Sequence, residues 1–434
     1  MKRLLLLIMM TLATPVALAA DGETPACGLP ELYRLALERA ETIRIAEIDL
    51  AIAQNYKKAA FSALLPKVSA YDNYSRYAKE NVLQPEWVNT WGGLLNYTFT
   101  INGRELLAFG IAEDNITSRE QQLRQARASY LFMVAATYFE ALKAGEMAAA
   151  AAQNLERLEA HKTAVESRLR LGELTRPDLY RVEAETSSAR ADLTEARNAR
   201  YLAESSLGRL VGLEGDFTIV PPAESTETRL ADRTLRDLQG LALSERADLQ
   251  ALKTAEKMAQ SQIKLEKSAY WPTVSLEGGY TSTRTDKMDL IEMEEDSAYG
   301  QVTINVPIFD GGLRKANKGT AEAELEQARL ARERLEKDIV VEVEQAWRDL
   351  FSRQQREAAL ADKLAFAREN FGAVSRQFEH GLATSIDRID ANTLLTQATR
   401  ELAAAAYDRA AAALRLEKVA GTFLETVMQD PGDL

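Results

Sequence analysis

Cysteine is almost missing from this chain: Cys27 stands alone among 434 residues. One thiol cannot close an internal disulfide, so stability has to come from packing or from assembly. Histidine is nearly as scarce, with His161 and His380 far apart in sequence. No metal-ligand spacing, phosphate loop or nucleophile elbow accompanies them, so no enzyme activity, cofactor or bound metal is expected. Past the first residues, no apolar run reaches the ~18 positions of a membrane-spanning helix. A chain that crosses a membrane without one must do so as strands closed into a barrel. Basic side chains are outnumbered 53 to 65, a net charge of −12, which argues against a nucleic-acid partner. Proline is missing from two long stretches of equal length, Arg104–Leu171 and Leu313–His380. Within the second, glycine occurs only at Gly319 and Gly372.

Ala, Glu, Arg, Leu and Gln dominate those stretches, a composition that favours helix throughout. A single helix of that length spans roughly 100 Å, more than a globular core needs. Just before the second stretch, Val302, Ile304, Val306 and Ile308 alternate with Gln301, Thr303 and Asn305, the pattern of a strand. A strand feeding directly into such a rod suggests a barrel standing on a helical tube.

The first residues, Met1-Lys2-Arg3, an apolar core at Leu4–Met10 and the small-x-small exit Ala17-Leu18-Ala19, read as a signal peptide over 1–19. Residues 30–65 read as helix stopped by Pro66, followed by strands at about 67–78 and 92–101. A helix over 104–211, broken at Gly172, comes next, and then a linker rich in Pro, Ser and Thr up to 234. The order then starts again. Leu35-Ala36-Leu37, Pro66, Ser69 and Tyr74 recur 206 positions later as Leu241-Ala242-Leu243, Pro272, Ser275 and Tyr280. Gly172-x-x-Thr175-x-x-Asp178 recurs 209 positions later as Gly381-x-x-Thr384-x-x-Asp387. Residues 20–234 and 235–434 are therefore two structural repeats. The second has helix over 236–271 and 313–420 and strands at about 273–284 and 298–308. After each tip, Leu193, Ala196, Arg200, Ala203 and Leu207 match Leu402, Ala405, Arg409, Ala412 and Leu416, stepping by 3 and 4 as in a coiled-coil seam. Four strands cannot close a useful barrel alone, whereas three copies give an even twelve with no free edge. The fold class expected is mainly α with a transmembrane β-barrel: an internally duplicated long-helix barrel plus four strands per protomer of a homotrimer.

With these features the chain resembles the TolC-type outer-membrane efflux and secretion channels over nearly its whole length. The residues that carry the likeness are Leu64-Leu65-Pro66, Tyr270-Trp271-Pro272, Val306-Pro307-Ile308-Phe309-Asp310-Gly311-Gly312 and the two Gly-x-x-Thr-x-x-Asp tips. The resemblance implies a homotrimeric passive duct in outer-membrane lipid, with a periplasmic helical barrel docked to an adaptor and an inner-membrane pump. By position, Asp387 and Asp390 match the family's acidic rings at the periplasmic constriction, and Asp178 matches an aspartate that helps latch the closed tips. Phe378 stands where some relatives have a latch tyrosine and Ala383 where they have an arginine, so two latch donors are missing. Gly172, Leu174, Thr175, Gly381, Leu382 and Thr384, where the long helices reverse, are the expected adaptor-docking surface. His380 is expected to be an incidental end-of-helix residue. The acidic run Asp286, Asp289, Glu292, Glu294, Glu295 and Asp296 reads equally as a negative extracellular mouth or a solvated loop. A poreless structural or adhesive coiled coil is the alternative function. The sequence does not separate small-molecule efflux from polypeptide secretion.

Overall fold

The computed structural model describes residues 26–78, 85–213, 215, 217–222, 230, 233–285 and 296–429. The expected signal peptide, much of the linker after 212 and the acidic loop up to residue 295 lie outside the described residues. The first repeat runs β1 (Ala26–Cys27), α1 (Leu29–Arg39), α2 (Glu41–Ser62), β2 (Lys67–Arg76), β3 (Trp87–Thr100), α3 (Arg104–Arg170), α4 (Arg176–Val211) and β4 (Thr218–Ile219). The second runs α5 (Leu235–Glu245), α6 (Ala247–Ser268), β5 (Thr273–Thr285), β6 (Asp296–Asn305), α7 (Leu313–Glu379), α8 (Ser385–Ala420) and a closing α9 (Phe423–Gln429). Both long helices contain 67 residues.

Four expectations need correction. The helix expected over 30–65 is broken at Ala40, and the one over 236–271 at Arg246; both residues are extended, with ψ 120. Neither position carries proline or glycine. The breaks lie where other helix ends pack: the carbonyl of Gly212, at the end of α4, accepts from Arg39 at 2.9 Å, and Gly421, at the end of α8, comes so close to the backbone of Glu245 and Arg246 that a side chain there would collide with it. The second strand starts at Trp87 rather than 92, absorbing part of the expected turn. The fourth ends at Asn305, so Val306 and Ile308 lie beyond the ladder; Pro307, which has no N–H to donate, sits between them.

The buried core forms a belt around these breaks. Leu32, Ala36, Ile43, Val134 and Leu207 are buried in the first repeat, and Leu238, Ala242, Leu249, Val343 and Leu416 occupy the matching positions in the second. Burying such a side chain stabilises by roughly 1.5–3 kcal/mol. The belt also holds the parallel pair β1–β4 and α9, whose Phe423 packs edge-on against Tyr33 and Phe132. Cys27 is buried here. The four long strands form one antiparallel sheet in the order β2-β3-β5-β6. Its centre, β3 against β5, joins the two repeats with Gly93 opposite Tyr280. Tyr71 of β2 reaches over Gly92 to bond Thr281 Oγ1 at 2.8 Å, so a side chain at Gly92 would collide with that ring and with the Tyr280 carbonyl.

The repeats differ in their surroundings. α3 packs on α2 and α4 of its own repeat and on α6 and α8 of the other. α7, its counterpart, packs on its own α5, α6 and α8. Apolar side chains stay exposed on α7 (Val341, Phe351, Phe366), on α2 (Ile45, Ile48, Tyr56) and on α4 (Tyr180, Tyr201). Both outer strands, β2 and β6, are exposed along their whole length.

Candidate functional site

The two Gly-x-x-Thr-x-x-Asp motifs lie side by side at the end of the helical part farthest from the sheet, and the structure gives each letter a reason. α3 and α7 end in a left-handed glycine, Gly172 at φ +77 and Gly381 at φ +75. That conformation suits a residue without Cβ. It turns the next N–H groups back on the helix: Glu173 donates to the Arg168 carbonyl at 3.0 Å, and Leu382 to that of Gln377 at 2.8 Å. The chain then enters α4 or α8 through a threonine cap. Asp178 accepts from the Thr175 N–H and hydroxyl at 2.9 and 2.6 Å, and Asp387 does the same with Thr384 at 2.8 and 2.6 Å. This reciprocal arrangement is a capping box. Hydrogen bonds from the threonine hydroxyl and then the backbone hold both carboxyls below the usual range. Within one protomer these bonds thus pull Asp387 down, opposite to the rise that carboxylates brought together from several copies would cause. Asp390 is exposed one turn further along α8.

Between the two hairpins lies a small core of Val165, Val182, Phe378 and Ile389, with Leu174, Leu179 and Ala383 packed against it. Phe378 is buried there, as the last full turn of α7 turns it inward. Leu174 also points inward, whereas Leu171 and Leu382 are 72% and 80% exposed at the very end. No described atom lies within 4 Å of a Cβ built on Gly172 or Gly381.

Three basic residues surround the Phe378 ring. Arg168 of α3 donates to the Phe378 and Glu379 carbonyls at 2.7 and 2.6 Å, and its guanidinium lies 4.6 Å from the ring centre. Helix ends leave carbonyls short of internal partners; here the neighbouring hairpin supplies a donor to Glu379 and a second one to Phe378, whose carbonyl also accepts from Gly381 N–H at 3.0 Å. Arg388 of α8 lies 5.5 Å from the same ring. His161 of α3, 2% exposed, meets the ring edge-on at 5.0 Å between centroids. Arg388 Nη1 lies 3.0 Å from His161 Nδ1. A guanidinium can only donate, so Nδ1 is the acceptor and the proton sits on Nε2, which donates to Ser385 Oγ at 3.0 Å. Burial, and then the Arg388 charge, push the His161 imidazole down to about 4, against a smaller opposing contribution from Ser385. Two turns deeper, Arg157 donates to Asn392 and Thr396, and Asn154 accepts from both of these, tying α3 to α8 again.

The expected residues Asp178, Asp387, Phe378, Leu174, Thr175, Thr384 and the two glycines thus occupy one tip. Sequence reasoning missed His161, Arg168, Ser385 and Arg388. The repeat could not reveal them because the cluster is not duplicated: the equivalents of His161 and Arg168 are Asn370 and Gln377. One signal was available. Arg388 stands where the first repeat has the apolar Leu179, and a charge replacing a packed apolar residue needs a partner. His380, at the end of α7, has no part in the cluster. Among the described residues no group of His, Cys, Asp and Glu is placed to hold a metal, and no helix is long and apolar enough to cross a membrane.

Comparison with known proteins agrees with this geometry. The Outer membrane efflux protein family matches residues 32–213 and 238–422, one stretch in each repeat. Outer membrane efflux protein BepC of Brucella suis is 25% identical, over 87% of this chain and 80% of its own. Outer membrane protein TolC of Vibrio cholerae is 24% identical, over 93% and 92%. The fold is shared with the CmeC outer membrane channel of Campylobacter jejuni, at TM-score 0.81 and 16% identity over 94% of this chain and 89% of that one. With a duplicated helix–sheet–helix unit and a family match in both copies, the chain belongs to the Outer membrane efflux protein family, as an outer-membrane transport protein with a long periplasmic helical part.

Proposed function

We propose that three copies of this chain close into a passive exit duct, with twelve strands in the outer membrane and a helical tube ending at the tips. The observation that carries the reading is the unequal packing of the two long helices. α3 is covered on both flanks, α7 on one; the missing partners are the α2 and α4 of a second copy, which carry exposed apolar residues to match. A four-stranded sheet with no layer on either face among the described residues also needs cover, and its outer strands β2 and β6, unpaired on one side among those residues, invite pairing. Every copy offers one flank and lacks the other, so the contact is head-to-tail and closes a ring when the rotation allows. The repeat offsets support one register: Gly93 opposite Tyr280 within the chain would carry over to Val302 opposite Tyr74 between copies.

In this duct Asp387 and Asp390 of the three copies line the narrow end and favour cations. Asp178 caps its helix beside them, and buried Phe378 supports the tip from behind. Gly172, Thr175, Gly381, Leu382 and Thr384 form the surface that meets a periplasmic adaptor and, through it, an inner-membrane pump, while Leu174, expected there too, packs inward beneath it. Exposed Leu382 and the space around both glycines suit close approach by a helical hairpin. Energy then comes from the pump. The test is mass measurement of the protein extracted from outer membranes in detergent. Three copies are expected; a water-soluble monomer with full strand content would sink the reading and favour a poreless coiled coil.

A further inference from the structure

We propose that His161, Arg168 and Arg388, gathered around Phe378, form an acid-released clasp that holds the two hairpins of each protomer together at the tip. The proposal rests on reading the tip as the narrow end of the duct. Its contacts run between hairpins: Arg168 and His161 belong to α3, while Phe378, Ser385 and Arg388 belong to α7 and α8. The clasp depends on a neutral imidazole, since Nδ1 must offer a lone pair to a group that can only donate. A proton from solvent on Nδ1 removes that acceptor and sets an N–H against the guanidinium N–H at a 3.0 Å separation. It also adds a third positive charge around one ring.

The charges on each packed element do not compensate. On α8, Arg388 touches the imidazole, and Asp387 is turned onto its own cap. On α3, Arg168 shares the ring, and Lys162 is taken up by Glu166 and by Glu183 of α4. The other acidic group of α4 near the tip, Asp178, is held by Thr175. On α7, Glu379 acts on Arg388 at longer range and lends Arg168 only its carbonyl. Glu173 in the turn lies 3.9 Å from Arg168.

The sign follows from a folded value near 4 against an ordinary 6.5. The parted tip binds the proton more readily than the closed one. The clasp is therefore at full strength above about pH 6.5, weakens about tenfold per pH unit below it, and reaches its floor near pH 4.

The experiment compares the wild-type trimer with His161→Gln in planar bilayers, acidified stepwise from pH 7.5 to 4. The glutamine carbonyl can accept from Arg388 and its amide can donate to Ser385, but neither titrates. Opening of the wild type should rise more than tenfold on acidification, and the variant should stay within about twofold of its neutral value. Matching pH profiles overturn the clasp and assign the response to the acidic rings. A second measurement needs no variant: hydrogen exchange at the His161 imidazole C2 position of the intact trimer, read by mass spectrometry, with a free histidine peptide as reference. His161 should reach its midpoint well over one pH unit below the ordinary 6.5 of an imidazole, and a midpoint at the ordinary value refutes the proposal. A trimer that conducts at no pH counts against the duct, whereas the exchange midpoints still judge the clasp.

Discussion

Removing Arg168 is the sharpest perturbation the tip offers, because one side chain satisfies the end of a neighbouring helix. Arg168→Ala deletes two charge-assisted hydrogen bonds, at 2.7 and 2.6 Å, and the contact of the guanidinium with the Phe378 ring. A hydrogen bond to a charged group contributes about 1.5–3 kcal/mol, and a partly exposed cation–π contact about 0.5–1. The sum is reduced because the Glu379 carbonyl lies near the surface and recovers water, and because the Phe378 carbonyl keeps its bond from Gly381 N–H. A net loss of about 3 kcal/mol remains, on the order of a hundredfold in the population of parted hairpins. Arg168→Lys keeps the charge but loses the fork, so it should recover less than half of that. The assay is the frequency of spontaneous openings of the purified trimer in planar bilayers at pH 7.5, with thermal unfolding as control. Openings should rise by one to two orders of magnitude while the melting transition of the belt core stays in place. If Arg168→Ala forms a normal trimer and opens no more often than wild type, the hairpins are held by the apolar core alone and the reasoning fails.

Other outcomes follow from the same structure. In a Cys27→Ser background, Val302→Cys with Tyr74→Cys should give trimers crosslinked between copies under oxidation, and shifting one partner to Asp72→Cys should abolish the crosslink; efficient linkage of the shifted pair instead would mean another register. Asp387→Asn/Asp390→Asn should remove most of the cation preference seen in reversal potentials. Asp387→Ala should in addition loosen the α8 start by removing one half of its capping box, visible as faster amide exchange there, and unchanged selectivity would return both carboxylates to an ordinary helix-end role. Leu382→Glu, at a position 80% exposed at the very end of the tip, should abolish export while leaving trimers intact; export at wild-type rate from the variant removes the docking surface from the tip.

Periodicity and repetition carried much of this protein into view before any coordinates. Two proline-free runs of equal length could hardly be anything but long helices, and alternation at Val302–Ile308 marked one of the four strands. The duplicated Gly-x-x-Thr-x-x-Asp located both tips, because a left-handed turn followed by a capped helix start demands those residue types in that order. The chemistry of the motif was less legible. Resemblance pointed to its aspartates as a gate and latch, while the geometry shows each one first satisfying its own helix, a role that threonine three residues before an acid announces in any sequence.

What local sequence could not disclose are the features imposed from a distance. Ala40 and Arg246 break their helices where the ends of α4 and α8 pack, with no breaker residue at either point. The gathering of His161, Arg168 and Arg388 on Phe378 joins α3 to the α7–α8 hairpin across more than two hundred positions of chain. It has no copy in the first repeat that would betray it. Amino-acid order alone determined which segments are rods and strands, since that depends on propensity and on periods of 2 and 3.6 along the chain. Only the tertiary structure decided which ends meet, which histidine is buried neutral, and which flank of α7 is left bare. Those depend on neighbours that packing, and no local rule, brings into contact.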